Sequence, residues 1–177
     1  MTLLRVLVAG WVMLMSSAIY GQTASLDSAM ALLGEGKRTE AAKLFQQLAE
    51  AGNPIAQYQL GMLYYIGKGV KEDEKVAVEW LSKSARQGNV EAMYQLGNAF
   101  TFGNETPRLV ADADVEAAQW YYKAAKAGNA DAQYSLGLLF MAGKGVEKND
   151  KEATYWMQLA AKNGHKDATN YIQSRKH

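Results

Sequence analysis

Few side chains in this sequence are suited to catalysis or metal binding. The chain has no cysteine and only two histidines, His165 and His177. A thiolate nucleophile or a thiolate zinc site needs cysteine, and a three-histidine metal centre needs more histidine than the chain contains. A histidine acting as a general base requires an orienting partner and a nucleophile beside it, and the residues around His165 indicate neither. We therefore expect no catalytic residue, no metal site and no cofactor, and we interpret His165 as a solvated capping residue after Gly164.

Two clusters of carboxylates are the other candidates for chemistry. They are Glu72, Asp73 and Glu74 in one place, and Asp112 with Asp114 in the other. Such groups can transfer protons or bind calcium, but the second cluster lacks the glycine and the distal glutamate of an EF-hand loop. Both clusters stand just before or at the start of a predicted helix, where acidic side chains cap the backbone and favour the positive end of the helix dipole. We therefore interpret both as helix-start residues.

The overall charge argues against a nucleic-acid partner. With 19 Lys and Arg against 18 Asp and Glu, the formal net charge is +1. Binding to nucleic acid needs a dense field of positive charge that displaces counterions from the phosphates.

The 177 residues, of which 49% are hydrophobic, are enough for one domain with a sizeable core.

The first 21 residues have the pattern of a secretory signal peptide. Arg5 precedes an apolar run, Val6–Met15, and small residues follow it. The alternative is an uncleaved membrane anchor, but the run is shorter than the roughly 20 apolar residues that cross a bilayer. The exact cleavage site stays open among Ala18, Gly21 and Ala24. We expect residues 1–21 to be removed and the protein to be periplasmic or secreted, with no membrane insertion after cleavage.

The remainder of the chain is built from a repeating unit of 36 residues. Tryptophans recur at intervals of 40 and 36, and Leu-Gly pairs at 36 and 40, namely Trp80, Trp120 and Trp156, and Leu60-Gly61, Leu96-Gly97 and Leu136-Gly137. The longer interval locates a four-residue insertion between Gly97 and Trp120. At this place the first unit has two residues between Gly67 and Val70, whereas the second unit has six, Asn104–Leu109.

Each unit is predicted to be a pair of helices joined by a glycine turn. Gly67 and Gly69 permit the tight reversal, Asp73 and the equivalent Asn149 are candidate N-caps of the second helix, and Gly88 ends that helix. Three mid-helix glycines are predicted to let a neighbouring helix approach closely, with each tryptophan covering the gap, and they are Gly61, Gly97 and Gly137. One helix pair cannot bury its own apolar face, so the units must stack into a solenoid.

These motifs resemble the Sel1-like repeat, a tetratricopeptide-like α/α solenoid family. The resemblance rests on Ala56-Gln-Tyr-Gln-Leu-Gly-Met-Leu-Tyr64 with Gly67-Lys-Gly-Val70, on Ala92-Met-Tyr-Gln-Leu-Gly97 with Ala117-Ala-Gln-Trp120, and on Ala132-Gln-Tyr-Ser-Leu-Gly137 with Gly143-Lys-Gly-Val146. It implies an all-α fold, a right-handed α/α superhelical solenoid. After the signal peptide at 1–21 we expect an N-terminal TPR-like helix pair at 22–52, Sel1-like repeats at 53–88, 89–128 and 129–164, and a C-terminal capping helix at 165–177.

If the first helices line the concave face, as the resemblance implies, one stripe of side chains faces the groove. It consists of Tyr58, Met62 and Tyr65, then Tyr94, Asn98 and Thr101, then Tyr134, Leu138 and Met141. An exposed apolar groove normally marks a binding site, and methionines suit an adaptable one. The predicted partner-binding residues are Tyr58, Met62, Tyr65, Asn98, Thr101, Leu138 and Met141, with Asn104, Glu105 and Arg108 of the inserted loop. Two alternatives stay open: a superhelix that buries the stripe itself, and a neutral insertion.

The predicted function is that of an exported, non-enzymatic module for protein–protein interaction, an adaptor or scaffold that binds a partner protein on its concave face. One alternative is a periplasmic immunity protein that neutralises an exported bacterial toxin. Another is a cell-wall or β-lactam hydrolase, which is disfavoured because the chain lacks the cysteines of that branch of the family and has no Ser-x-x-Lys sequence. The predicted partner is an exported toxin or an envelope component, and the sequence leaves the oligomeric state open.

Overall fold

The regular secondary structure of this chain is entirely helical over residues 26–175, the part that the computed structural model describes. The helices are α1 (26–34), α2 (Arg38–Glu50), α3 (Pro54–Ile66), α4 (Glu74–Arg86), α5 (Val90–Phe102), α6 (Ala113–Lys126), α7 (Ala130–Ala142), α8 (Asp150–Lys162) and α9 (Lys166–Ser174). A short 3-10 helix, Thr106–Leu109, lies between α5 and α6. Within 26–175 no helix has both the length and the hydropathy needed to cross a membrane. The predicted signal peptide lies outside the described residues.

Polar side chains fix where the helices begin. The first helices α3, α5 and α7 are capped by Asn53, Asn89 and Asn129, whose side chains accept hydrogen bonds from backbone N–H groups of the first turn. The second helices α4, α6 and α8 are capped in the same way by Asp73, Asp112 and Asn149. Each cap stabilises its helix by about 1 kcal/mol because the first-turn N–H groups have no partner within the helix. The N-caps predicted at Asp73 and Asn149 are confirmed.

Successive helix pairs stack and share an apolar interior. We call α3/α4 unit 1, α5/α6 unit 2 and α7/α8 unit 3, with α1/α2 before them and α9 after. The largest cluster of buried side chains joins α4 to α8 and includes Leu81, Leu96, Tyr121, Leu136 and Trp156. A second cluster joins α1, α2 and α3, and each second helix contacts the first helix of the next unit. The predicted all-α, α/α solenoid is confirmed.

The mid-helix glycines provide the predicted close approach between the two helices of a unit, but the tryptophans do not fill the space. A Cβ on Gly97 would lie 2.5 Å from Cδ1 of Tyr121, and the corresponding neighbours of Gly61 and Gly137 are Leu81 and Met157. The predicted cover by the tryptophans is therefore wrong. In each unit the residue that contacts the glycine directly follows the tryptophan in the sequence. Because consecutive side chains of an α-helix point about 100° apart, only one of these two side chains can point at the glycine.

The tryptophans instead pack beside this contact, each in different surroundings. Trp156 is 5% exposed, and its Nε1 has no hydrogen-bond partner among the described residues. Trp120 donates from Nε1 to Oε1 of Glu116 at 2.9 Å. Lys83 and Lys123 place their Nζ atoms 3.9 Å from the ring centroids of Trp80 and Trp120. All three tryptophans thus lie in or against the buried apolar clusters.

The glycine turns of units 1 and 3 bring each unit against the preceding one. Gly69 and Gly145 have φ angles of 83° and 64°, in the region that favours glycine. A Cβ on Gly69 would lie 2.5 Å from the carbonyl oxygen of Arg38, at the start of α2. A Cβ on Gly145 would overlap the carbonyl oxygen of Asp114, at the start of α6. Glycine is therefore required here both by conformation and by lack of room.

Candidate functional site

The stripe predicted from the sequence, which we call the first-helix stripe, has three residues on each of α3, α5 and α7. Its members are spaced by four and three residues on each helix, which places them on one helical face. Leu138 is 41% exposed and the other members are partly buried, so no member is fully buried. Every predicted stripe residue of units 1, 2 and 3 therefore keeps some exposure to solvent.

The tyrosines of the stripe are held in place by packing. Tyr134 stacks on His165, with ring centroids 4.2 Å apart. The ring centroids of Tyr94 and Tyr121 are 6.0 Å apart. Tyr58 and Met62 pack against the cluster that joins α4 to α8. Burial raises the pKa of Tyr58 above its ordinary value, as does the nearby negative charge of Glu91. These four stripe side chains are therefore packed against the rest of the fold.

The middle of the stripe is polar and is linked to a buried tyrosine. Tyr121 of α6 is 1% exposed, and its hydroxyl donates to Oδ1 of Asn98 at 2.8 Å. The hydroxyl of Thr101 donates to the backbone oxygen of Gly97 at 2.8 Å and lies 3.3 Å from the Tyr121 hydroxyl. Burial raises the pKa of Tyr121 to about 12, so its hydroxyl stays protonated near neutral pH. Asn98 and Thr101 thus present neutral hydrogen-bonding groups at fixed positions.

Sequence reasoning missed Tyr121, although the repeats carry a signal for it. The equivalent residues in units 1 and 3 are Leu81 and Met157, which are apolar. The stripe changes in the same unit, where Asn98 stands in place of Met62 and Leu138, and Thr101 in place of Tyr65 and Met141. Three polar replacements in one unit indicate a shared hydrogen-bond network.

His165 begins α9 as a cap, but it is not solvated as predicted. Its Nδ1 accepts a hydrogen bond from the backbone N–H of Ala168 at 3.2 Å, and its side chain is only 13% exposed. The Nε2 atom lies 3.6 Å from Oδ1 of Asp131. The ring is shielded because it stacks face to face on Tyr134. His165 therefore attaches α9 to unit 3 in addition to capping it.

One carboxylate holds the inserted loop. Glu74 is 6% exposed, and its Oε1 accepts a hydrogen bond from the backbone N–H of Asn104 at 2.9 Å. Its Oε2 accepts from the backbone N–H of Glu105 at 2.8 Å, and from the N–H and the hydroxyl of Thr106 at 2.9 Å each. The interpretation of Glu74 as a helix-start residue missed this role. Asp73 caps α4, whereas Glu74 in the first turn reaches the loop of the next unit.

The hydrogen bonds keep Glu74 ionised. Burial alone would raise the pKa of this carboxyl, but the bonds from Thr106, Asn104 and Glu105 outweigh it and lower the pKa to about 2. The signal in the sequence was a glutamate in unit 1 together with an insertion in unit 2. The residues equivalent to Glu74 are Arg38 on α2, Asp114 in unit 2 and Asp150 in unit 3, none of which is a glutamate.

The three predicted loop residues, Asn104, Glu105 and Arg108, are all exposed. Asn104 and Glu105 bind Glu74 through their backbone N–H groups, so their side chains are not used for that attachment. Two apolar side chains beside them, Phe102 and Leu109, are 75% and 44% exposed. The loop therefore presents a mixed polar and apolar surface on a fixed backbone.

The loop and the start of α4 enclose a polar recess of about 220 Å³, lined by Glu72, Asp73, Glu74, Asn104 and Glu105. Asp73 is used as the cap of α4 and Glu74 accepts four hydrogen bonds. Over residues 26–175 no group of three or more histidines and carboxylates is arranged to hold a metal ion.

The fold and the stripe define the class of protein, a helical repeat solenoid in which each unit buries its apolar face against its neighbours. The model of the Sel1 repeat family matches four successive segments, residues 28–53, 54–89, 90–129 and 130–165. The chain belongs to the Sel1 repeat family. Sel1 repeats are generally protein-interaction modules, and their solenoid is typically a non-catalytic scaffold.

Known proteins with similar sequence or structure include two solved bacterial chains. A Sel1 repeat protein from Oxalobacter formigenes is 28% identical with a TM-score of 0.74, covering 85% of this chain and 62% of that one. A protective antigen of uropathogenic Escherichia coli with an SLR fold is 31% identical with a TM-score of 0.75, and the match covers 85% of this chain and 32% of that one. HRD3A, an ERAD-associated E3 ubiquitin-protein ligase component of Arabidopsis thaliana, is 30% identical over 38% of this chain and 10% of its own length. The chain thus spans less than two thirds of each of these proteins.

Proposed function

We propose that this chain is an exported interaction module that binds a partner protein along the first-helix stripe. The observation that carries the proposal is a stripe that crosses three adjacent units and is partly exposed in all of them. Its ends are apolar, with Met62 on α3 and Leu138 on α7, and its middle is polar, with Asn98 and Thr101 on α5. A partner helix or extended segment with apolar residues at both ends and a hydrogen-bonding residue between them matches this order.

The packing behind the stripe supports binding. Tyr121 fixes Asn98 from behind, and His165 supports Tyr134. A surface that is ordered before binding loses little conformational entropy when the partner arrives. The inserted loop, whose backbone Glu74 fixes, offers the side chains of Asn104, Glu105 and Arg108 as further contacts for the partner.

Binding rather than catalysis is the proposed activity, because the groups best suited to acid–base chemistry have structural partners. His165 caps α9, Asp73 and Asp112 cap α4 and α6, and Glu74 holds the loop. Incubation of the purified protein with peptidoglycan fragments and a β-lactam tests this point. Turnover that one named substitution abolishes would contradict it.

Export is proposed from the residue pattern of the first 21 residues. Expression of the full chain, followed by fractionation and N-terminal sequencing of the recovered protein, provides the test. We expect the protein in the periplasmic or extracellular fraction to begin at Ile19, Gln22 or Ser25. Full-length protein confined to the cytoplasm would contradict export.

The stripe is tested by co-purification from the native cell envelope. We expect Met62→Glu/Leu138→Glu to lose the partner that the wild type recovers, because two charges would have to be buried in the complex. Leu138→Glu alone, at a side chain that is 41% exposed, is expected to weaken recovery without affecting the fold. A toxin as the recovered partner would define an immunity protein, and an envelope component would define an adaptor.

A matched control carries two new charges away from the stripe. Gln158→Glu/Gln173→Glu alters two exposed residues on α8 and α9. We expect this control to recover the partner as the wild type does, with circular dichroism showing that all variants are folded. Equal recovery by the control and by folded Met62→Glu/Leu138→Glu would refute binding along the stripe.

A further inference from the structure

A second candidate binding surface lies at the junction of units 2 and 3. A cavity of about 260 Å³, which we call the α6 pocket, opens between α6, α7 and the turn that follows α7. Its lining is mainly apolar and includes Val115, Tyr122 and Lys123 of α6, Leu136 and Phe140 of α7, and Val146 of the turn. It contains no residue of the first-helix stripe.

The α6 pocket and the stripe use different sides of α7. Leu136 and Phe140 line the pocket, whereas Tyr134, Leu138 and Met141 belong to the stripe. Each residue advances the helix by about 100°, so the two sets of side chains point in roughly opposite directions. A molecule bound in the pocket therefore does not occupy the stripe.

Repeat packing alone does not require an apolar surface at this place. The positions of Val115, Tyr122 and Lys123 correspond to Lys75, Ser82 and Lys83 in unit 1. Val115 and Tyr122 are 37% and 46% exposed, so unit 2 presents two large apolar side chains where unit 1 has polar ones.

The underlying helix differs in the same way. Phe140, on the floor of the α6 pocket, is half-buried, whereas its equivalent Phe100 is only 5% exposed. The junction of units 2 and 3 therefore leaves partly exposed an aromatic side chain whose equivalent on α5 is buried.

The charge at the pocket is positive. Lys123 is the charged residue in the lining, and Lys126 places its Nζ 5.8 Å from the ring centroid of Tyr122. Lys123 contacts the face of Trp120 and forms no ion pair with any residue of 26–175. Asp114 lies 3.9 Å from Lys144, and Glu116 accepts a hydrogen bond from Trp120. A carboxylate brought by a ligand would meet, beside an apolar cavity, a lysine that has no ion-pair partner among residues 26–175.

We propose that the α6 pocket binds a segment of a partner protein in which one large apolar side chain stands next to a carboxylate. The cavity is smaller than the roughly 300–1,000 Å³ of sites for drug-sized molecules, which fits one anchoring side chain. The anchor contacts Val115, Phe140 and Val146, and the carboxylate pairs with Lys123 at the rim. Anchors of this kind supply most of the affinity of a protein interface. With the stripe on the opposite side of α7, the chain has two docking surfaces and can bridge two proteins.

The test uses a random dodecapeptide library displayed on phage and panned on the full-length protein. We expect enriched peptides to carry Leu, Phe or Trp beside Asp or Glu. Fluorescence anisotropy of a dye-labelled enriched peptide then compares Lys123→Glu with Lys83→Glu. Both lysines lie 3.9 Å above a tryptophan, but only Lys123 lines the pocket, so the second variant is a matched control.

The expected result is a loss of affinity of roughly tenfold or more for Lys123→Glu and no change for Lys83→Glu, with a reversed-charge peptide regaining affinity for Lys123→Glu. Met62→Glu/Leu138→Glu, the stripe variant, keeps wild-type affinity. Failure of this inference and failure of the stripe are thus distinguishable.

Three outcomes would overturn the proposal. The first is that panning enriches no peptide with a large apolar residue beside an acidic one. The second is that Lys123→Glu and Lys83→Glu bind the enriched peptide with equal affinity. The third is self-association of the protein that Lys123→Glu abolishes, which would make a second copy the occupant. Thermal unfolding by circular dichroism identifies any variant that has lost its fold. If Lys123→Glu is such a variant, Val115→Thr, which is nearly isosteric but polar, takes its place.

Discussion

The turn of unit 3 and the extended loop of unit 2 solve the same problem in different ways. Each connects the two helices of its unit and must lie against the start of the second helix of the preceding unit. In unit 3 a glycine with positive φ lets the backbone of the turn touch Asp114 directly. In unit 2 the longer loop stands off, and the carboxylate of Glu74, at the position equivalent to Asp114, spans the gap with four hydrogen bonds.

This difference shows how a solenoid accepts an insertion without losing contact between units. The regular turn depends on the absence of a side chain, and the extended loop depends on the presence of one. The residue that permits the insertion lies about 30 residues earlier in the chain, in the preceding unit. A repeat and its neighbour are therefore matched to each other at this junction.

Substitution of the turn glycine is expected to have the largest effect. Gly145→Ala adds a Cβ where the carbonyl oxygen of Asp114 lies and forces a residue with a side chain to a φ of 64°. We expect a loss of about 3 kcal/mol or more in the free energy of unfolding, measured by urea titration. Gly88→Ala is the control, because it has a φ of 90° but open space around it, and should cost about 1 kcal/mol. Equal losses would show that contact between units is not what requires glycine at 145.

Removal of the charge from Glu74 is expected to have the next largest effect. Glu74→Gln places an amide N–H₂ among four donors that need an acceptor, and the charge-assisted bonds are lost. We expect a loss of about 2 kcal/mol at pH 7 and faster hydrogen exchange at the amide of Thr106. Glu79→Gln, at an exposed glutamate of the same helix, should change neither quantity. Unchanged exchange at Thr106 in Glu74→Gln would mean that the carboxylate does not hold the loop.

The contribution of Glu74 should also depend on pH. Its pKa is about 2 in the folded protein against an ordinary value of 4.5, so between these values the unfolded chain binds the proton more readily. The stabilisation is therefore complete above pH 4.5 and disappears as the pH falls toward 2. Unfolding of the wild type and of Glu74→Gln should differ most near neutral pH and converge in this window. A difference that persists unchanged at the acid end would exclude ionisation of Glu74 as its origin.

The smallest effect is expected at the exposed side chains of the loop. Asn104→Ala and Arg108→Ala should each change the free energy of unfolding by less than about 0.5 kcal/mol, because the bond at Asn104 to Glu74 uses its backbone N–H and Arg108 is exposed. Urea titrations of both variants beside Glu74→Gln provide the comparison. A loss as large as that of Glu74→Gln would assign the attachment to side chains instead.

Most of the scaffold follows from periodicity. Repeating glycines and tryptophans gave the helix pairs, and the residues at helix starts gave the caps at Asp73 and Asn149, because these features depend on local backbone chemistry. What periodicity does not decide is which of two adjacent side chains points at a neighbour. For that reason Trp120 was predicted to fill the space beside Gly97, which Tyr121 occupies.

The candidate site was less predictable because its details depend on contacts between units. The spacing of the stripe is visible in the sequence, but the bond from Tyr121 to Asn98 joins residues on different helices. Glu74 and the loop are in different units, and the stacking that shields His165 comes from Tyr134 on another helix. Each of these pairs breaks the repeat pattern at one partner or both, as His165 does where the other first helices begin with asparagine, and comparison of units position by position is the way to find them.

The tryptophans at equivalent positions of units 1, 2 and 3 also make the order of unfolding observable. Trp80 lies beneath a lysine, Trp120 lies beneath a lysine and donates to Glu116, and Trp156 is enclosed in the core with its Nε1 unbonded in the described structure. Indole emission depends on solvent exposure and on nearby charge, so each unit has its own optical reporter. The stability of each unit in a solenoid depends on its contacts with the neighbouring units. A variant that keeps only one of these three tryptophans, with the other two replaced by phenylalanine, therefore reports the unfolding of one unit by its fluorescence.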